Sequence, residues 1–192
     1  VVYGTIPESN QGKRSDISAL IDLVKDGATD REIFTNGDDS NQSTLFRHFK
    51  HAQHLRQALY QPTAQEQIVN VYWGAPGTGK TRKVWDLHAA DTVYNATLAS
   101  EGWFDNINVN HKVLLFDDPD FSKIPLTKLL NWLDRYPIYL PVKGSSFPRM
   151  TTHIYITHNH HPRDWYPTAS AEQFAALTRR ITTITHFENP FA

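Results

Sequence analysis

Gly74-Ala75-Pro76-Gly77-Thr78-Gly79-Lys80-Thr81 fits the pattern G-x-x-x-x-G-K-[ST] at every fixed position. It follows the apolar run Ile68-Val69-Asn70-Val71-Tyr72-Trp73 and precedes a stretch that forms helix readily. Strand, loop and helix in that order make a phosphate-binding loop. The glycines let consecutive N–H groups turn inward as an anion nest, and the helix adds its positive N-terminal end. Lys80 then brings a cation to the β- and γ-phosphates of a nucleoside triphosphate, and Thr81 offers a hydroxyl to Mg²⁺. Every residue of the stretch is thus an expected nucleotide contact. A chance glycine-rich turn is the plain alternative, but it does not explain the flanking strand and helix.

From Ile68 onward, strands alternate with helices, which is the mark of an α/β sheet. Short strands are expected at 92–94, 112–116, 153–157 and 181–187, and helices at 82–89, 126–135 and 171–179. A hairpin should pair 138–142 with 147 onward about Lys143-Gly144-Ser145-Ser146. Before Ile68 the pattern is purely helical. Ile17, Leu20, Ile21 and Val24 fall at helical spacing, with Gly27 as a stop. Thr29-Asp30-Arg31-Glu32 has the form of a capping box. After a polar turn at 36–42, a third helix should run from about Thr44 to Tyr60, with Leu45, Phe49, Ala52, Leu55 and Leu59 on its apolar side, and end before Pro62. The expected division is a connector at 1–14, a helical module at 15–62 and the α/β domain at 63–192.

Composition narrows the partners. The 192 residues carry a net charge of −1, so no overall basic field holds a nucleic acid; any such contact must come from local cations. There is no cysteine, which removes disulfides, thiolate metal sites and cysteine nucleophiles. No apolar stretch approaches the roughly 20 residues of a membrane helix, so no membrane partner is expected.

Val113-Leu114-Leu115-Phe116-Asp117-Asp118 is an apolar run ending in two carboxylates. A strand buried on both faces reads this way, and its C-terminal edge is where α/β folds place ligands. Asp117 is the expected Mg²⁺ residue and Asp118 the base that activates the attacking water. Asn159, at the end of another strand, is the candidate for sensing the γ-phosphate. Adjacent His158, His160 and His161 lack the spacing of a zinc site.

In this order and spacing, the phosphate loop, Phe116-Asp117-Asp118, Asp134-Arg135-Tyr136-Pro137, Lys143-Gly144, Ile156-Thr157-His158-Asn159 and Arg179-Arg180-Ile181 resemble the helicase domain of superfamily three. More closely, the chain resembles the replication-initiation (Rep) proteins of circoviruses and related circular single-stranded DNA viruses. Gly12-Lys13-Arg14-Ser15-Asp16 resembles the join between that family's nuclease and helicase halves. The metal-binding His pair and nucleophilic tyrosine of the nuclease are not found. The resemblance therefore implies a missing, covalently linked nuclease domain ahead of the connector.

It further implies an AAA+ type P-loop sheet flanked by helices, preceded by an oligomerisation module. The implied activity is an ATP- and Mg²⁺-dependent DNA helicase in a hexameric ring, acting in rolling-circle replication in the host-cell nucleus. Arg179 or Arg180 is implied as an arginine finger on the neighbouring subunit's γ-phosphate. Lys143, with Ser145 and Ser146, is implied on a channel hairpin that grips single-stranded DNA. Trp165 and Tyr166 are candidates to cover the adenine, although aromatics in such a place more often belong to a core, while Trp73, Trp85, Trp103 and Trp132 read as packing. Three other readings are a GTPase-like switch, a small-molecule kinase and a nucleotide-binding scaffold. The first lacks an Asn-Lys-x-Asp sequence. The second has only Arg149 and Arg163 for a lid.

Overall fold

The computed structural model describes residues 14–96 and 102–188. All of the expected connector except Arg14 lies outside them. The chain divides between Leu59 and Tyr60 into two compact units, slightly ahead of the expected boundary.

The first unit holds α1 (Ser15–Lys25), α2 (Asp30–Asn36) and α3 (Asp39–Leu59). Gly27 takes φ +90° after α1, and the capping box at Thr29 forms with both reciprocal bonds. Helix α3 begins earlier than Thr44 because Asp38 Oδ1 accepts the Asn41 N–H at 2.7 Å, so the polar turn supplies its own cap. The apolar stripe is also broken. Non-helical backbone at His48 kinks α3, burying Leu45 and Ala52 but leaving Phe49 and Leu59 exposed. A buried cation completes this small core: Arg56 donates to Asp30 Oδ1 at 2.6 Å and to the Ala28 carbonyl at 2.7 Å.

The second unit holds β1 (Ile68–Gly74), α4 (Lys80–Leu87), β2 (Val93–Asn95), β3 (Val113–Asp117), α5 (Leu126–Leu133), β4 (Tyr139–Val142), β5 (Ser145–Pro148), β6 (His153–His158), α6 (Ala171–Thr178) and β7 (Thr183–Phe187). The main sheet has five strands in the order β2-β3-β6-β1-β7, every neighbouring pair parallel. The strand ending in the two acids is therefore separated from the phosphate-loop strand by β6. This is the P-loop sheet of the AAA+ type, with helices against it.

Strand β3 shows why a sheet buried on both faces reads as an unbroken apolar run. Leu114 and Phe116 pack with Val69, Val71, Ile154, Ile156 and Trp132, while Val113 and Leu115 pack on the opposite face with Val84 and Tyr155. Because the strands are parallel and in register, their C-terminal ends line one edge: Asp117 pairs with Thr157, and Trp73 with His158. The hairpin β4-β5 stands apart as its own two-stranded sheet. Its turn is tighter than expected, only Lys143 and Gly144, so Ser145 and Ser146 belong to β5. No described helix is long and apolar enough to cross a membrane.

Candidate functional site

The phosphate loop leaves β1 at Gly74, whose φ is +143° and where a Cβ would lie 2.2 Å from the Phe187 carbonyl oxygen. Only glycine lets the neighbouring β7 backbone run this close. Gly79 then takes the left-handed conformation (φ +86°) and starts α4, so Lys80 is the helix's first residue.

The Lys80 side chain is buried. Its Nζ donates to the Gly74 and Ala75 carbonyls at 2.8 Å each and to Asn159 Oδ1 at 3.3 Å. Burial holds the ammonium below its ordinary pKa, while Asp118 and Asp117 pull it upward. Thr81 Oγ1 donates to Asp117 Oδ1 at 2.6 Å. The same carboxylate oxygen accepts from Thr157 Oγ1 at 2.6 Å. Asp118 turns off the strand in the left-handed region (φ +46°), tied through its N–H to the Thr157 carbonyl at 3.0 Å. Its Oδ2 accepts from Asn159 Nδ2 at 3.4 Å.

The expected residues of the loop, the acids and the sensor therefore converge on one edge of the sheet. Thr81 keeps its oxygen lone pairs while giving its proton to Asp117, so a hydroxyl and a carboxylate stand together as hard oxygen ligands. That donor set fits Mg²⁺. Thr157 is the member that sequence reasoning assigned no role. Only the β3–β6 pairing puts it opposite Asp117.

The replication-associated protein of Porcine circovirus 1 is 32% identical to this chain over 183 residues, covering 91% of the chain and 54% of the relative. That of Porcine circovirus 2 is 26% identical, covering 94% and 56%. That of Canary circovirus is 29% identical, covering 92% and 58%. The chain is related to the circovirus replication-associated proteins. It spans about half the length of these relatives. No protein-family profile matches it. Among solved structures, a closed-state Hsp104 reconstruction resembles it at 15% identity and a TM-score of 0.38, covering 92% of this chain and 37% of that one. The strand order, not that likeness, carries the fold.

In this Rep-related chain the two arginines lie at the sheet edge opposite the phosphate loop. They precede β7, whose approach is pinned by Thr182 N–H donating to the Val69 carbonyl at 2.7 Å. A seven-residue strand, β1, separates them from Gly74, roughly 20 Å of rise. Arg180 is committed within the subunit. It reaches Asp134 Oδ2 from Nε at 3.1 Å and from Nη2 at 2.5 Å, and the Ala176 carbonyl from Nη1 at 2.8 Å. Arg179 is exposed and forms no ion pair among the described residues. It lines a cleft of about 670 Å³ with Gln67, Asp134, Arg135, Tyr136 and Thr182.

Other expectations are corrected. Trp165 is buried and stacked on Phe121 at 4.2 Å, and the Tyr166 hydroxyl donates to the Ile124 carbonyl, so both belong to the core rather than to an adenine cover. Of the tryptophans read as packing, Trp132 is buried, but Trp85 and Trp103 are exposed. Trp73 stacks on His186 with centroids 4.1 Å apart. Arg149 is no lid residue. It is buried, donates to the Trp132 and Asp134 carbonyls at 2.6 Å, and burial lowers its pKa to about 10.

Proposed function

We propose that this chain is an ATP-hydrolysing motor domain that moves along single-stranded DNA during replication of a viral genome, working as a ring of identical subunits. The observation that carries this reading is the convergence of Lys80, Thr81, Asp117, Asp118 and Asn159 on one sheet edge. A scaffold that only holds nucleotide has no use for Asp118, which is poised off the strand and hydrogen-bonded to the sensor.

The chemistry follows from these positions. Lys80 exchanges the loop carbonyls for β- and γ-phosphate oxygens as the loop N–H groups take the phosphates. Thr81 and Asp117 would hold Mg²⁺, which when bound neutralises phosphate charge. Asp118 accepts a proton from the water that attacks the γ-phosphorus, and the bond to the β-phosphate oxygen breaks to release ADP. Asn159, bonded to both Lys80 and Asp118, orients that water.

Arg179 and Arg180 sit too far from their own loop to reach its γ-phosphate. That separation supports action on a neighbouring subunit, and the freedom of Arg179 favours it over Arg180 as the finger. Lys143, at the tip of the β4-β5 turn, is the proposed DNA-gripping cation, with Ser145 and Ser146 beside it. Repeated around a channel, Lys143 would hold the strand's phosphates despite the nearly neutral monomer. The helical unit is the proposed collar, the full-length protein would carry the nuclease domain ahead of it, and the site of action would be the host-cell nucleus. Burial of Arg149 weakens the kinase alternative by removing half of its lid.

The test is hydrolysis of ATP with and without a single-stranded oligonucleotide. DNA should stimulate turnover, Lys80→Ala should abolish it, and Asp118→Asn should bind ATP without hydrolysing it. Turnover indifferent to DNA would overturn the motor reading, and normal turnover by Asp118→Asn would remove the general base.

A further inference from the structure

The turn that carries Lys143 is held by one carboxylate. Asp105 Oδ1 accepts the Lys143 backbone N–H at 2.7 Å, and its Oδ2 lies 3.4 Å from the Lys143 ammonium. Asp105 is itself firmly seated. The partly buried Tyr94 hydroxyl donates to its carbonyl at 2.9 Å. The preceding Phe104 is fully buried against Trp132 and donates its N–H to the Pro141 carbonyl of β4 at 2.8 Å. The anchor is therefore rigid, whereas the Lys143 side chain is 74% exposed and free to swing.

A carboxylate that meets a lysine both through its ammonium and through the N–H of the turn offers it what a nucleic-acid phosphate offers: an anionic oxygen at hydrogen-bond range. We propose that Asp105 is a positioning residue for the hairpin and a built-in phosphate stand-in. It fixes the turn through the backbone bond and neutralises Lys143 until a phosphate of single-stranded DNA displaces it. The inference rests on the reading of Lys143 as a strand-gripping residue. Its consequence is that each subunit engages DNA by ion exchange and not by net addition of charge, which keeps the grip weak enough to release.

The experiment titrates a labelled oligothymidylate into the protein across a series of salt concentrations. Asp105→Asn keeps an oxygen for the Lys143 N–H and removes the charge. It should bind roughly two- to fivefold more tightly, the modest worth of an exposed pair. Its plot of log affinity against log salt should steepen by up to about 0.7 per engaged subunit. Asp105→Ala also loses the backbone bond and should bind more weakly than Asp105→Asn. The gain must vanish in Asp105→Asn/Lys143→Ala. An Asp105→Asn protein with unchanged or weaker affinity overturns the inference, as does a gain that survives without Lys143. If Lys143→Ala alone leaves DNA affinity untouched, the strand-gripping reading itself fails, and the inference with it.

Discussion

Thr157 and Asp117 face each other across the parallel β3–β6 pair, and the threonine hydroxyl donates to Asp117 Oδ1 at 2.6 Å. Thr81 donates to that same oxygen from the start of α4. One carboxylate oxygen is thus fixed from two sides, by the first turn of α4 and by β6. A side chain that orients a metal-binding carboxylate acts on affinity and rate without touching substrate.

Thr157→Val keeps the shape of a fully buried side chain and deletes the hydroxyl. The fold should survive, turnover should fall by about 10- to 100-fold, and more Mg²⁺ should be needed for half-maximal rate. Steady-state ATPase assays over a Mg²⁺ series check this. A variant with the wild-type Mg²⁺ requirement would show that Asp117 needs no help from β6.

Gly74→Ala should damage the protein more than any other single methyl in the loop. The added carbon would lie 2.2 Å from the Phe187 carbonyl oxygen, at a φ of +143°. At Gly77 and Gly79 a Cβ meets nothing within 4 Å, so only the conformational cost applies there. We expect Gly74→Ala to lose about 2–4 kcal/mol of stability and Gly77→Ala about 1 kcal/mol, measured by chemical denaturation.

Much of this site was legible before any coordinates, because its chemistry is written in contiguous stretches. The loop needs its residues in a row, and an apolar run ending in acids announces a buried strand edge. What sequence did not show lies in contacts between distant residues. Thr157 becomes meaningful only when β6 is known to sit between β3 and β1. Arg149 resembles a mobile cation until three backbone carbonyls are found around it. Helix α3 starts at Asp39 because one aspartate caps it, and Phe49 turns outward because the helix kinks at His48. The cap is a local signal, legible in the polar turn itself, whereas the apolar spacing carries no mark of the kink.

Acid should loosen the α/β unit through His111. His111 Nδ1 accepts the Asn108 N–H at 3.0 Å, a role that protonation abolishes. Burial lowers its pKa from the ordinary 6.5, against a smaller upward pull from Asp91. The unfolded chain therefore binds the proton more readily than the folded one. The stabilisation is fully present above about pH 6.5 and is lost as pH falls through that value toward the folded pKa. Denaturation midpoints at about pH 7.5 and about pH 5.5 should differ less in His111→Asn, whose amide oxygen can accept the same N–H without titrating.

The two arginines after α6 should separate by assay. Arg180 holds Asp134 with side chains that are 19% and 21% exposed, so removing it strands a half-buried carboxylate. Arg180→Ala should cost about 1–3 kcal/mol of stability. Arg179 has no ion pair to lose among the described residues, so Arg179→Ala should melt with the parent protein. If it supplies charge to a neighbour's γ-phosphate, its turnover should fall by about 10³-fold or more. Neither Arg179→Ala nor Lys80→Ala subunits should then hydrolyse ATP alone. In a mixture, an intact Lys80 loop on one subunit can meet an intact Arg179 on the next, and part of the activity should return. Absence of recovery at every mixing ratio, with assembly confirmed by particle mass, would remove the finger from Arg179. Recovery with Arg180→Ala but not with Arg179→Ala would transfer it to the arginine that holds Asp134.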